Sequence, residues 1–223
     1  MVTSNEVVEQ TSDSTPKNYG RHSNCRPLVL VNVHTHFPFS VYKWGSRMEV
    51  VVARYKEDIE WTRKIPYKVT VYTKNDRLLP NIGREPHTYL YHIITRWDSL
   101  ADYTAFVQGY PFDHSPRLAD TLAGFATHPT DFEHLGELRM VCDRDGWPHH
   151  GGLDVGGIAD AVGIVQIEFP FSAGAQFIVS RERIHSRPLA FYHVLMSVLV
   201  TNLGEAPWVY ERLWQSIFMG SHA

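Results

Sequence analysis

Cysteine is scarce in this sequence. Cys25 and Cys142 are the only two in 223 residues, far apart and in unlike surroundings, which argues against a disulfide framework and a cysteine zinc site and points to a reducing, cytoplasmic setting. An excess of either charge is missing too. The formal net charge is −3 and the Lys and Arg residues are scattered, so no basic stripe is available to a phosphate backbone and nucleic acid is not expected as a partner. No run reaches the ~18 apolar residues of a membrane span. The longest apolar stretch, Ala190 to Val200, is broken by Tyr192, His193 and Ser197 and reads as a core helix. The start of the chain lacks the apolar segment of a signal peptide, and there are no internal repeats.

What is present suits one domain: 43% hydrophobic and 13% aromatic residues can fill a sizeable core. Residues 1–26, rich in Ser, Thr, Asn and charge, read as a disordered lead, and residues 27–47 as an accessory strand or extension around Leu28 to Val33; residues 48–223 are expected to form an α/β catalytic domain. Met48 to Tyr55 and Tyr67 to Tyr72 have the β-branched runs of strands, with a short helical turn over Lys56 to Trp61 between them. Lys74 to Asp76 is a turn and Pro80 to Gly83 a loop into a helix over Glu85 to Trp97. Thr104 to Gln108 is a further buried strand. Ser115 as N-cap and Pro116 as first residue start a helix running to Phe125. A strand over Glu137 to Cys142, a turn at Asp143 to Gly146, a long Gly-rich loop over Trp147 to Gly157, a strand over Ala175 to Ser180, and helices over Arg187 to Val200 and Trp208 to Phe218 complete the chain. This order predicts a single α/β domain whose central sheet is largely parallel, flanked by helices, with the strands at Val50, Val69, Phe106 and Met140 as neighbours.

Ligands of such sheets bind at the carboxyl ends of the strands. Arg54 and Glu57 leave the first strand there, Arg84 and Glu85 open a helix whose free N–H groups favour an anion, and Asn81 lies in the loop before it. A forked guanidinium suits phosphate or carboxylate; the competing reading is a set of ion pairs that brace the fold. Gln108 ends the middle strand, and Asp113 and His114 follow the bend at Gly109 and Pro111, where a carboxylate serves as general base or holds Mg²⁺ or Mn²⁺, or else caps the next helix. Gln176, beside Gly174, is a polar handle at a strand start. Asp143 and Asp145 form the chain's Asp-x-Asp, and His149 follows in the loop, giving a second metal candidate beside Asp113; a plain Asp-Gly turn explains the aspartates as well. Thirteen histidines raise the prospect of a metal, but none falls in a zinc-type His-x₃-His helix.

The segments Val52-Ala-Arg-Tyr-Lys-Glu-Asp58, Asn81-Ile-Gly-Arg-Glu85, Gln108-Gly-Tyr-Pro-Phe-Asp-His114, Cys142-Asp-Arg-Asp-Gly146, Gly174-Ala-Gln-Phe177 and Glu211-Arg-Leu-Trp214 resemble a family of fungal, bacterial and phage proteins known only as a domain of unknown function, over about Glu49 to Phe218. The same order of features looks like remote kin of GT-A glycosyltransferases. That resemblance implies a GT-A-like fold, a nucleotide-sugar donor at the carboxyl edge of the first strands, and a divalent metal on its diphosphate. The chain departs from the pattern at Gln108-Gly109-Tyr110, where the usual Asp-x-Asp is absent. The expected activity is sugar transfer to a small-molecule or glycan acceptor, with Arg54, Arg84 and Glu85 on the donor, Asp113 on a metal or the acceptor hydroxyl, and Asp143 or His149 assisting. The alternatives are a metal-assisted hydrolase, cyclase or isomerase on the same scaffold, and a ligand-binding protein without catalysis. The oligomeric state is left open.

Overall fold

The run Met-Glu-Val-Val-Val-Ala-Arg forms strand β1 (Met48–Arg54), six of whose seven residues are buried, as expected where both faces of a sheet are covered. It belongs to a computed structural model that describes residues 47–76 and 79–220, so the expected lead and nearly all of the 27–47 extension lie outside the described residues. The elements that follow are β2 (Lys68–Thr73), α1 (Arg84–Thr95), β3 (Tyr103–Gln108), α2 (Leu118–Thr127), β4 (Phe132–His134), β5 (Arg139–Asp143), α3 (Val155–Ala161), β6 (Glu168–Ser172), β7 (Phe177–Ser180), α4 (Arg181–His185), α5 (Leu189–Thr201) and α6 (Ala206–Met219). Short 3₁₀ turns occupy Glu60–Lys64 and Pro111–Asp113.

Five strands form the central sheet in the order β2-β1-β3-β7-β4. β1 pairs in parallel with β2 and β3, and Val51 stands between Thr70 and Phe106. β7 runs antiparallel to both β3 and β4, so four strands point one way and one against them. The expected largely parallel sheet is therefore a mixed one. Alternation along β1 divides the core. Val51 and Ala53 face α1, α5 and α6, where Tyr89, Phe106, Phe177 and Trp214 pack, whereas Val50 and Val52 face α2 through Leu118, Leu122 and Phe125. Helices cover both faces of the sheet. No helix among the described residues is long and apolar enough to cross a membrane.

Several expectations need correction. The strand at Met140 is not in the central sheet; β5 pairs antiparallel with β6 in a separate two-stranded ribbon, Cys142 opposite Phe169. Only Cys142 of its five residues is buried, so it lacks the two covered faces of a central strand. Ser115 is not a helix cap: its hydroxyl is buried without a partner, α2 begins at Leu118, and its carbonyl receives the Leu118 N–H at 3.1 Å. The turn expected over Lys56 to Trp61 sits later, at Glu60–Lys64. The Gly-rich loop ends sooner than expected because Asp154 accepts the Gly157 N–H at 2.8 Å and starts α3.

Candidate functional site

β2 and β3 lie on opposite sides of β1, so the strand order reverses between β1 and β3. Their carboxyl ends frame the crevice where ligands of such sheets seat. Arg54 and Glu57 brace its rim. Glu57 Oε2 accepts the Tyr55 and Lys56 N–H groups at 2.6 and 3.1 Å, and Arg54 Nε donates to the Glu57 carbonyl at 2.8 Å. The brace needs Gly109, because a Cβ there would stand 2.5 Å from Glu57 Oε2. The Trp61 indole N–H, donating to the Gly109 carbonyl at 2.9 Å, fastens the same turn.

Beside this rim lies a cleft bounded by Arg84, Glu85, Gln108, Gly174, Trp208 and Glu211, with a volume of about 20 Å³. That is room for roughly one water. Gly83 and Arg84 both have positive φ, 62° and 47°, as α1 begins. A left-handed arginine costs on the order of 1–2 kcal/mol, a strain placed at the cleft's edge. The conformation brings Glu85 into the first turn, where a carboxylate suits the helix dipole. Arg84 Nε lies 3.5 Å from Glu85 Oε2, and Gln108 Nε2 donates to Glu85 Oε1 at 3.4 Å. The Arg84 guanidinium also stacks over Trp208.

Glu211 enters from α6. Its Oε1 accepts the Gly174 N–H at 2.6 Å and its Oε2 accepts from Arg212 Nη1 at 3.0 Å. Arg212 is buried over the Phe171 ring, so the carboxylate has a fixed countercharge. Gly174 sits at φ 90°, and a Cβ on it would stand 2.5 Å from the His114 ring. Tyr89, on α1, is fully buried and its hydroxyl has no partner; burial, then Glu85 and Glu211, push its pKa well up.

Lys74 is a residue the sequence gave no reason to select, since Lys-Asn-Asp reads as a solvated turn. It is buried, receives its backbone position from an N–H bond to the Arg54 carbonyl at 2.7 Å, and donates from Nζ to the Ile82 carbonyl at 2.7 Å, pinning the loop before Arg84. Burial pushes its pKa down to about 8, with Glu85 acting the other way. His87, one helical turn on, is pushed down to about 4 by burial and by Lys74.

The other expected residues are distributed as follows. Asn81 is exposed in the loop before α1. Asp113 is exposed on its 3₁₀ turn and does not line the cleft; His114 is half-buried against Gly174. Gln176 is wholly buried, donating to the Pro111 carbonyl at 3.0 Å, with its own carbonyl oxygen unpartnered. Asp143 Oδ1 accepts the Asp145 and Trp147 N–H groups at 3.0 and 2.8 Å, the turn-closing role of an aspartate. His149 is exposed, its ring edge-on to Phe171. Among the described residues no group of three or more His, Cys, Asp or Glu side chains that could hold a metal ion is found.

A larger cavity of about 260 Å³ lies beside β5, lined by His134, Arg139, Met140, Phe171 and Gln215. Size favours it, but chemistry favours the smaller cleft. Arg139 already donates to Glu133 and to the His134 carbonyl, both at 3.0 Å, and His134 Nε2 is 2.7 Å from Gln215 Oε1, which leaves a mostly apolar wall.

The chain belongs to the family described as protein of unknown function DUF3431, which it matches over residues 50–129 and 166–223. Those stretches hold Arg54, Glu57, Asn81, Arg84, Glu85, Gln108, Asp113, His114 and Gln176, together with Lys74, Trp208 and Glu211. The part of the expected resemblance at Cys142 to Gly146 falls outside the match, as do β4, β5, α3, Asp143 and His149. No curated protein and no solved structure matches the chain.

Proposed function

We propose that this protein transfers a sugar from a nucleotide-sugar donor to a small-molecule or glycan acceptor, the donor lying along the open rim over the one-water cleft beside the reversal of strand order. The observation that carries the reading is that Arg84 and Glu85, from the first turn of α1, meet Gln108, from the exit of β3, at the carboxyl edge of the parallel strands. A half-exposed guanidinium at the positive end of a helix suits a diphosphate, whose charge grows as the sugar departs. Glu85 and Gln108 supply an acceptor and a donor for sugar hydroxyls. The left-handed Gly83 and Arg84 turn these groups toward one another, and Lys74 holds the loop beneath them. The GT-A-like kinship expected from the sequence is consistent with this placement and remains part of the proposal.

The leaving diphosphate is stabilised in this reading by Arg84 and the α1 N-terminus. A cytoplasmic setting is supported by the buried free thiol of Cys142. A second reading, binding without turnover, is favoured by the exposure of Asp113 outside the cleft.

Thermal melts with UDP-glucose, UDP-N-acetylglucosamine and GDP-mannose, each with and without Mn²⁺, test the proposal alongside release of nucleoside diphosphate. A donor at ~100 times its Kd adds about 2.7 kcal/mol to apparent stability, a shift of roughly 5–10 °C for a chain of this size. A shift with diphosphate release supports transfer, and a shift without release supports the binding reading. Melts unmoved by every donor overturn both.

A further inference from the structure

We propose that Glu211 is the catalytic base of the cleft, taking the proton of the acceptor hydroxyl as its oxygen attacks the sugar's anomeric carbon. The inference rests on the glycosyl-transfer reading and replaces Asp113 in that role. In the step, the acceptor O–H bond breaks and its proton passes to a Glu211 carboxylate oxygen. The acceptor oxygen forms a bond to the anomeric carbon, the bond from that carbon to the diphosphate oxygen breaks, and its electron pair leaves with the diphosphate. Glu211 then returns the proton to water.

Three observations carry it. Glu211 lines the same cleft as Arg84, Glu85 and Gln108, whereas Asp113 does not. Its carboxylate is also oriented by groups that do not move with the ligand: the Gly174 N–H on Oε1 and the buried Arg212 on Oε2, which leave each oxygen a free lone pair. Glu85, by contrast, is held by the half-exposed Arg84 and Gln108, groups better placed to follow a donor. The third observation is a buried hydroxyl near both carboxylates. Tyr89, wholly buried and close enough to feel both carboxylates, has a hydroxyl that no protein atom accepts, and buried tyrosine hydroxyls ordinarily find a partner. A hydroxyl so near Glu85 and Glu211 and without an acceptor is polar capacity beside the two carboxylates that the protein itself does not fill.

The test is diphosphate release from UDP-glucose and GDP-mannose by wild type, Glu211→Gln, Glu211→Asp and Asp113→Asn, with donor-induced melting shifts measured on the same preparations. Glu211→Gln should lose roughly 10²–10⁴-fold in kcat, keep the donor shift, and lose the acid limb of its pH–rate profile, while Asp113→Asn stays within about threefold of wild type. Glu211→Asp should keep an acid limb, displaced in pH. Turnover by wild type together with an active Glu211→Gln, or an acid limb unchanged in both Glu211 variants, overturns the assignment and leaves the transfer reading standing. Loss of the donor shift along with kcat makes Glu211 structural and overturns it as well. If Glu211→Gln fails to fold, the Glu211→Asp profile decides. Wild type that releases no diphosphate from either donor overturns both proposals together.

Discussion

The Arg84 guanidinium carbon stands 4.3 Å from the centre of the Trp208 ring, joining the first residue of α1 to the third of α6 across the mouth of the cleft. This stack and the Glu85 contact hold the arginine among the described residues, and its side chain is half exposed. A pair of this kind is worth about 0.5–1 kcal/mol, little enough for a diphosphate to draw the guanidinium away. In the proposed reading Arg84 both closes the cleft and binds the leaving diphosphate.

Replacing Arg84 separates folding from function. Arg84→Ala should change stability by no more than about 1 kcal/mol, because an exposed ion pair and one exposed stack contribute little. It should cost one to three powers of ten, roughly, in turnover through lost charge stabilisation. Arg84→Gly should fall equally in turnover yet melt above Arg84→Ala, since glycine accepts φ 47° without the ~1–2 kcal/mol penalty. Circular dichroism melts and diphosphate release on the same samples decide it; full activity in either variant sinks the proposed anion-binding role.

Gly174 is the second point of control. With φ at 90° and the His114 ring where a Cβ would go, Gly174→Ala meets both backbone strain and a collision. The expected loss is about 2–4 kcal/mol, read as a lower urea midpoint with unchanged slope. Because the Gly174 N–H fixes Glu211 Oε1, the folded fraction of that variant should also be less active. A Gly174→Ala protein of wild-type stability would mean that the turn relaxes freely.

Much of this was legible in the sequence, and the boundary of what was legible has a physical cause. β1, β2 and β3 were readable because their β-branched runs are buried on both faces, and α1 because Tyr89, Leu90 and Ile93 recur on one side. Arg84, Glu85 and Gln108 followed from lying next to those elements in sequence. β6 was missed because Pro170 argues against a strand; a two-stranded ribbon tolerates it on an unpaired edge, opposite Val141. β5 was read as a strand but joined to the wrong sheet, since a pattern of burial names no partner. Glu211 and Trp208 sit more than a hundred residues from Arg84; Glu211, beside Arg212, reads equally as a helix ion pair or a site residue, and only the packing of α6 brings it to the cleft. Lys74 carried no signal at all, because only the fold buries it.

Asp143 supplies a contrast to the cleft. With two N–H groups on its Oδ1, Asp143→Ala should cost about 1 kcal/mol, the scale of a lost side-chain cap. It should leave donor shifts, with and without Mn²⁺, as they are in wild type. A Mn²⁺-dependent shift abolished by this change would restore the aspartate as a ligand.

Acid should weaken the fold before it reaches the pH at which exposed carboxylates titrate. His92 is wholly buried, its Nδ1 3.1 Å from the Tyr72 hydroxyl and its Nε2 without a partner, and burial pushes its pKa down to about 4 despite the attraction of Glu49. His87 is at about 4 for the reasons given above. Between pH ~6.5 and ~4 the unfolded chain therefore binds more protons than the folded one, and stability falls as the pH drops through that window, by about 3 kcal/mol per histidine. Glu49 adds to the loss: burial alone would raise its pKa, but its bonds to Thr70 and Lys68 outweigh that and hold it below its ordinary value, so its contribution disappears as the pH falls through the folded pKa. Urea midpoints measured from pH 7 to 4 should show this slope, and His92→Gln should remove about half of the histidine part. A wild-type midpoint that stays level between pH 6.5 and 4.5 would mean that both rings take up their protons inside the fold.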